Sequence, residues 1–299
     1  MKERSRAYLL GITAVLIWST VASVFKITLR STDPFSMVLI ASVVSTFTLM
    51  LVLIFKGKLK KLGELPKRSI FKALALGSLN PFLYYIVLFS AYDILKAQEA
   101  QALNYTWPIM LTVLSILVLR QRTTKLQISA VLMSFFGIVV ISSRGSFFLG
   151  STIAPWGILL GLFSAAIWAT FWTLDLRSSM DDDVKLFLNF LSGTILIAIL
   201  VVSRGGINLE GVDGITGSIY IGLFEMGITF IIWFRALRVS GTASKISNLI
   251  YLSPFLSLFL IQVIVGEPIL ATTLIGLALI MAGVVLQRYD DRSGKDPAP

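Results

Sequence analysis

Residues 11–20 read GITAVLIWST, and residues 161–170 read GLFSAAIWAT. At an offset of 150 the Gly, the Ile-Trp pair and the Thr recur in register. A second register, at an offset of 146, carries Pro108 onto Pro254 and Phe136-Gly137-Ile138-Val139-Val140 onto Ala282-Gly283-Val284-Val285-Leu286. Matches in register with few gaps mark an internal repeat. The chain therefore divides into a first copy at 1–150 and a second at 151–299.

Both decapeptides sit in long apolar runs. Hydrophobic residues make up 56% of the 299 and charged residues only 14%, against about 25% charged in a soluble domain. Mean hydropathy is +0.85. Such a deficit of charge identifies an integral membrane protein. An apolar helix of about 20 residues crosses the hydrocarbon core. Ten such segments are expected, near 7–29, 34–55, 70–92, 97–119, 126–143, 155–176, 184–203, 215–237, 243–265 and 270–287. The start, basic and then apolar, has the outline of a secretory signal, but its apolar run is too long and nine more spans follow.

The formal charge of +10 is distributed as an orientation signal, not as a stripe that follows nucleic acid. With the N-terminus inside, the cytoplasmic side takes Lys2, Arg4 and Arg6, the basic loop from Lys56 to Lys72, and Arg120, Arg122 and Lys125. It also takes Arg177, Lys185, Arg235, Arg238, Lys245 and the cations after residue 287. Of all 26 Lys and Arg, five fall on the other side: Lys26, Arg30, Lys96, Arg144 and Arg204. Both termini are thus expected in the cytoplasm, with the chain in the inner or plasma membrane. Five spans per copy is an odd number, so the second copy enters from the opposite side. The expected fold class is all-α, ten transmembrane helices as two inverted five-helix repeats around a central cavity. That is a transporter architecture, with the substrate site near the midplane.

Polar residues inside these spans single out the candidate site. The stretch LNYTWPIM, residues 103–110, places Asn104, Tyr105, Thr106, Trp107 and Pro108 near mid-depth. Pro108 removes a backbone donor and frees a carbonyl near residue 104, which in lipid needs a partner. Asn104 and Thr106 are placed to supply one, and Asn104, Trp107 and Pro108 share a helical face. The stretch reads either as a kink with a satisfied amide or as cavity lining. Tyr and Trp this far below the interfacial belt favour lining. In the ninth span Asn248, Tyr251 and Phe255 share a face beside Pro254, and Pro81 breaks the third span in the same way. Trp168 and Trp172, four apart, are expected to stack on one face of the sixth span. Trp rings at mid-depth usually pack, but the repeat puts Trp18 and Trp168 at equivalent positions, which nominates them as contacts.

Glu225 lies eleven residues into the 215–237 span, where a charge costs roughly 2.5–3.5 kcal/mol on insertion scales. It reads either as a substrate-amine or proton-coupling residue, or as a neutral or Lys-paired acid bracing the bundle. Thr229 and Trp233 extend its face at i+4 and i+8. Lys26, Glu99 and Lys245, near span ends, are candidate gate or coupling residues, although snorkelling to the interface is their commoner use. Gly266-Glu267-Pro268 reads as a tight outer turn. Asp181-Asp182-Asp183 reads as a solvated helix start and not a metal site, since consecutive acids do not share one face.

These residues resemble a known family. The Ile-Trp-Ser-Thr of the first span, Asn104-Tyr105-Thr106-Trp107-Pro108 of the fourth, and Tyr251-Leu252-Ser253-Pro254 with Gly266-Glu267 of the ninth are similar to EamA-type members of the drug/metabolite transporter superfamily. The resemblance covers about 7–287 and implies ten helices, cytoplasmic termini, a central cavity and export of a metabolite. Ile17-Trp18-Ser19-Thr20, Glu99 ahead of Asn104, the Asn-Tyr-x-Trp-Pro run and Ala166-Ile167-Trp168-Ala169 also look like the bacterial aromatic amino-acid exporters of that superfamily. That narrower likeness implies a cavity lined by Trp18, Tyr105, Trp107 and Trp168.

With no Cys and no His in the chain, and no paired intramembrane acids or G-x-S-x-G, a membrane-embedded enzyme has almost nothing to work with. A passive channel or scaffold lacks a ring-forming charged series. The absence of a Walker motif leaves secondary transport, by facilitation, exchange or coupling to protons. No cofactor and no nucleic-acid partner are expected. The expected partners are a small-molecule substrate and membrane lipid, and a monomer is the expected state. A phosphorylated solute would want cations at mid-depth, whereas Trp and Tyr with one Asn and one Glu suit an aromatic or other hydrophobic amino acid. A cationic drug-like compound is the alternative.

Overall fold

The computed structural model describes residues 2–110, 113–114, 124–143, 154–175, 178, 180–239 and 248–292. Regular structure among them is helical, with an isolated antiparallel bridge between Thr32 and Leu209. The first half runs α1 (Lys2–Thr28), α2 (Pro34–Phe55), the short α3 (Leu59–Glu64), α4 (Lys67–Gly77), α5 (Tyr84–Ile94), α6 (Ala97–Asn104) and α7 (Lys125–Ser143). The second runs α8 (Pro155–Asp175), α9 (Asp182–Ser203), α10 (Val212–Tyr220), α11 (Ile228–Val239), α12 (Ser253–Leu260) and α13 (Ala271–Arg292).

Among the described residues six helical stretches are long and apolar enough to cross a membrane: Ser5–Thr28, Pro34–Phe55, Lys67–Ile94, Pro155–Asp175, Asp182–Ser203 and Val212–Ala236. Shorter apolar helices occupy Lys125–Ile141, Leu249–Val265 and Ala271–Leu286. These coincide with nine of the ten expected segments. The expected fourth begins with α6 and resumes at 107–110, and its residues 111–112 and 115–119 lie outside the described ones. Side chains such as Phe47, Leu132, Phe135, Ile199 and Phe259 are more than half exposed, as a lipid-facing perimeter requires.

Local chemistry sets the helix ends. Asp33 caps α2 by accepting from Phe35 N at 2.9 Å and Ser36 N at 3.1 Å, with Pro34 in the first turn. Asp181 caps α9 by accepting from Asp183 N at 3.1 Å. Between α4 and α5 the helix widens into a π-turn, Ser78–Leu83, where Asn80 leaves helical geometry and the Asn80–Pro81 bond is cis. Pro254 stands in the first turn of α12, directly after a 3₁₀ turn at Asn248–Leu252, and Gly266 ends the following π-turn with φ +78°. The eighth span is broken too, at a π-turn over Ile221–Glu225 followed by Met226-Gly227. No proline announces that break.

Packing pairs the two halves. α2 lies along α9, where Thr46 and Thr194 hydroxyls share a 2.9 Å hydrogen bond. Those two helices are each 22 residues long at an offset of 148, with Asp33 and Asp181 as N-caps and Lys56 and Arg204 as C-caps. α7 lies along α13. A Cβ at Gly137 would stand 2.6 Å from the Gly276 carbonyl, and one at Gly283 would stand 2.7 Å from the Ala130 carbonyl. The first contact becomes the second when each residue is exchanged for its partner at the 146 offset. In the remaining pairs, α1 packs on α11 and α12 while α8 packs on α5 and α6.

Candidate functional site

The helix-breaking turns bring aromatic side chains from α1, α5, α8 and α11 onto one wall. Trp18 meets Phe230 edge-on at 5.6 Å and Trp233 at 5.5 Å. Trp168 stacks on Tyr84, with centroids 4.5 Å apart and planes 30° from parallel. Phe230 lies 6.0 Å from Trp168 as well. The two tryptophans nominated by the repeat are therefore joined through one phenylalanine that sequence reasoning did not select. Both keep part of their surface exposed.

Trp168 and Trp172 do not stack as expected. Their planes cross at 80°, at 5.9 Å, and Trp172 leans on Phe234 at 5.8 Å. Rings four apart on one helix diverge from a common axis, so the parallel face of Trp168 is free for a ring from another helix. Tyr84 takes it.

A polar edge runs beside this wall. The Tyr85 phenol donates to Glu225 Oε1 at 3.2 Å. The Tyr84 phenol donates to Asn104 Oδ1 at 3.3 Å, and Asn104 Nδ2 donates to Ser164 Oγ at 2.9 Å. Asn104 thus spends its amide on α5 and α8. The Thr106 hydroxyl donates to Leu103 O at 2.7 Å, one residue before the carbonyl that Pro108 frees. Tyr84 and Tyr85 are buried, and Asn104 and Glu225 are half-buried. The expected i+4 face from Glu225 also fails. The π-turn shifts the register, and the Thr229 hydroxyl donates to the Phe224 carbonyl instead of extending the acid's face. Trp233 belongs to the Trp18 side.

The remaining site candidates gather elsewhere. Tyr105, Trp107, Pro108 and Tyr251 line a shallow crevice together with Ile250, Met281 and Val284. The link between crevice and wall runs through Ser253, which interacts with Tyr105 and whose hydroxyl accepts from Ser19 Oγ at 3.3 Å. Pro81 is buried and serves the break that turns Tyr84 and Tyr85 inward.

Of the candidate gate residues, Lys26 donates to the Tyr92 and Leu95 carbonyls, both at 2.7 Å, closing the C-terminal end of α5. Glu99 is buried and accepts from Lys96 N at 3.2 Å, at the start of α6. Lys245 lies outside the described residues. The outer turn at Gly266-Glu267-Pro268 is tied to α6, with Gln98 Nε2 donating to Pro268 O at 2.8 Å and Ala97 N to Glu267 Oε1 at 3.2 Å. At the opposite end Asp181, Asp182 and Asp183 do start a helix, but two of them also bind the basic loop. Lys58 and Lys61 pair with Asp181 at 2.8 and 3.0 Å, and Lys56 with Asp183 at 2.9 Å.

A family model described as the EamA-like transporter family matches residues 5–143 and again 155–288. The chain is 25% identical to the uncharacterized transporter YvbV of Bacillus subtilis, over 99% of this chain and 95% of that one. It is also 25% identical to the aromatic amino acid exporter YddG of Ancylobacter novellus, over 95% and 97% of the two chains. A solved structure titled "Crystal structure of protein" shares the fold with a TM-score of 0.67 at 23% identity, covering 98% of this chain and 99% of the other.

Proposed function

The chain belongs to the EamA-like transporter family, a multi-pass membrane transporter of a small molecule, and from that premise we propose that it exports aromatic or other hydrophobic amino acids by alternating access. The observation that carries the substrate class is the continuous wall Trp18–Phe230–Trp168–Tyr84 with Glu225 and Asn104 at its edge. Aromatic faces favour an apolar or aromatic side chain, and a lone acid beside them favours the ammonium end of the same solute. The YddG relative, an aromatic amino acid exporter by name, supports the same class.

Alternating access rests on the repeat. The family match comes in two copies, and the reciprocal contacts of Gly137 with Gly276 and Gly283 with Ala130 support a two-fold relation between them. We read the chain as ten spans in two inverted repeats, 1–150 and 151–299, with both termini in the cytoplasm of the inner or plasma membrane. Glu225 is the residue for amine recognition or proton coupling. A cell overproducing the protein should tolerate toxic aromatic amino-acid analogues, and proteoliposomes should exchange labelled against unlabelled substrate. Tolerance of no aromatic analogue would overturn the substrate class, and lack of any counterflow would overturn the carrier mechanism.

A further inference from the structure

Helix α4 carries a cationic face that no part of the transport reading uses. Lys67, Arg68, Phe71, Lys72 and Ala75 are all exposed, at the i, i+1, i+4, i+5 and i+8 spacing of a single stripe. The opposite face is fixed: Ala73 is buried, and a Cβ at Gly77 would stand 2.2 Å from the Asn189 carbonyl of α9. Phe71 is 73% exposed in the middle of three cations.

The acids that could neutralise this face are engaged elsewhere. Asp181 and Asp183 of α9 are held by Lys56, Lys58 and Lys61 of the preceding loop. Glu64 is the sole acid between residues 56 and 80, and it is exposed on α3. Among the described residues no carboxylate pairs with Lys67, Arg68 or Lys72. The stripe also begins a membrane-crossing stretch, Lys67–Ile94, which sets it at the boundary between hydrocarbon and water.

We propose that this face of α4 binds the phosphodiester headgroups of anionic phospholipids. The three cations meet the headgroup charge while Phe71 enters the acyl boundary beside them, the division of labour of an interfacial anchor. The rigid seat on α9 pre-orders the charges, so the site is a fixed patch rather than a loose polybasic tail.

The test uses the full chain in nanodiscs of phosphatidylcholine with or without phosphatidylglycerol, followed by native mass spectrometry of retained lipid. Wild type should keep phosphatidylglycerol in preference to phosphatidylcholine. Each cation near a membrane surface contributes about fivefold, so the triple variant K67Q/R68Q/K72Q should lose retention on the order of a hundredfold. The charge-conserving variant K67R/K72R should retain it, which separates charge from damage to the helix. Equal retention by wild type and the triple variant would overturn the proposal. So would equal retention of both lipids by wild type, or displacement of phosphatidylglycerol by millimolar inorganic phosphate, which would mark a site for free anions.

Discussion

Tyr85 donates its phenolic proton to Glu225 across the interface of two broken spans, at 3.2 Å. Each residue sits at a π-turn: Tyr85 just after Ser78–Leu83, Glu225 as the last residue of Ile221–Glu225. Glu225→Gln keeps a carbonyl for Tyr85 to donate to but removes the acid. The expected outcome is normal expression with efflux reduced to background, measured as analogue resistance and as liposome exchange. Tyr85→Phe leaves a half-buried carboxyl without its donor, which costs about 1–3 kcal/mol and should lower the melting point in detergent. Wild-type efflux by the Gln variant would remove Glu225 from the mechanism.

The stacked pair Trp168 and Tyr84 lends itself to a double-mutant cycle. Ring pairs of this geometry contribute about 0.5–1.5 kcal/mol beyond burial. Trp168→Leu and Tyr84→Leu should therefore cost less together than the sum of each alone, by about that amount, in thermal stability. Trp168→Phe, which keeps a ring, should retain part of the analogue resistance that Trp168→Leu loses. Strictly additive stabilities would show that the rings do not support each other.

Nine of the ten expected segments were legible as apolar helices because hydropathy survives any detail of packing. The 146 offset read from Gly137 and Gly283 reappears as reciprocal contacts, since only a residue without a side chain fits where two backbones approach that closely. Trp18 and Trp168 were visible in the sequence as repeated positions. Tyr84 and Tyr85 were not, although Asn80-Pro81 stands just before them. Their orientation depends on a π-turn, and a widened turn displaces every later side chain from the face that a 3.6-residue count assigns. Thr229 was misprojected from Glu225 by that displacement. Asn104 shows a further limit: its amide had a local carbonyl to satisfy, yet two partners from other helices won.

The close contact of α7 with α13 gives a stability prediction remote from the aromatic wall. At Gly137 an added methyl would meet the Gly276 carbonyl, and at Gly283 it would meet the Ala130 carbonyl, both of them backbone atoms. Overpacking of this kind costs about 1–3 kcal/mol. Gly137→Ala and Gly283→Ala should both lower the melting point, by similar amounts because they occupy exchanged positions. Exchange activity per folded molecule should stay near wild type. A large loss for one and none for the other would argue against the reciprocal geometry.

The ionic joint between the loop after α2 and the start of α9 yields a pH prediction with a definite sign. Partial burial pushes the Asp181 carboxyl up, but hydrogen bonds from Lys58 and Lys61 and their charges outweigh it, leaving the group below the usual carboxylate range. Burial likewise pulls Lys58 down, and Asp181 and Asp183 more than restore it, so its ammonium ends above 10.5. A lowered acid stabilises the fold above its ordinary value of 3.8, and that contribution is lost as pH falls through the lowered one. A raised lysine stabilises fully below 10.5 and ceases to do so as pH rises through the raised value. Asp181→Asn isolates the charge, because Asn caps a helix as well as Asp does. At neutral pH the variant should lose about 0.2–1 kcal/mol for each of the two pairs, less in high salt. The gap between variant and wild type, followed by thermal melting, should be constant from about pH 5 to pH 10 and close below the carboxylate range. A gap that persists unchanged at acid pH and in molar salt would mean that the aspartate acts through its shape and not its charge.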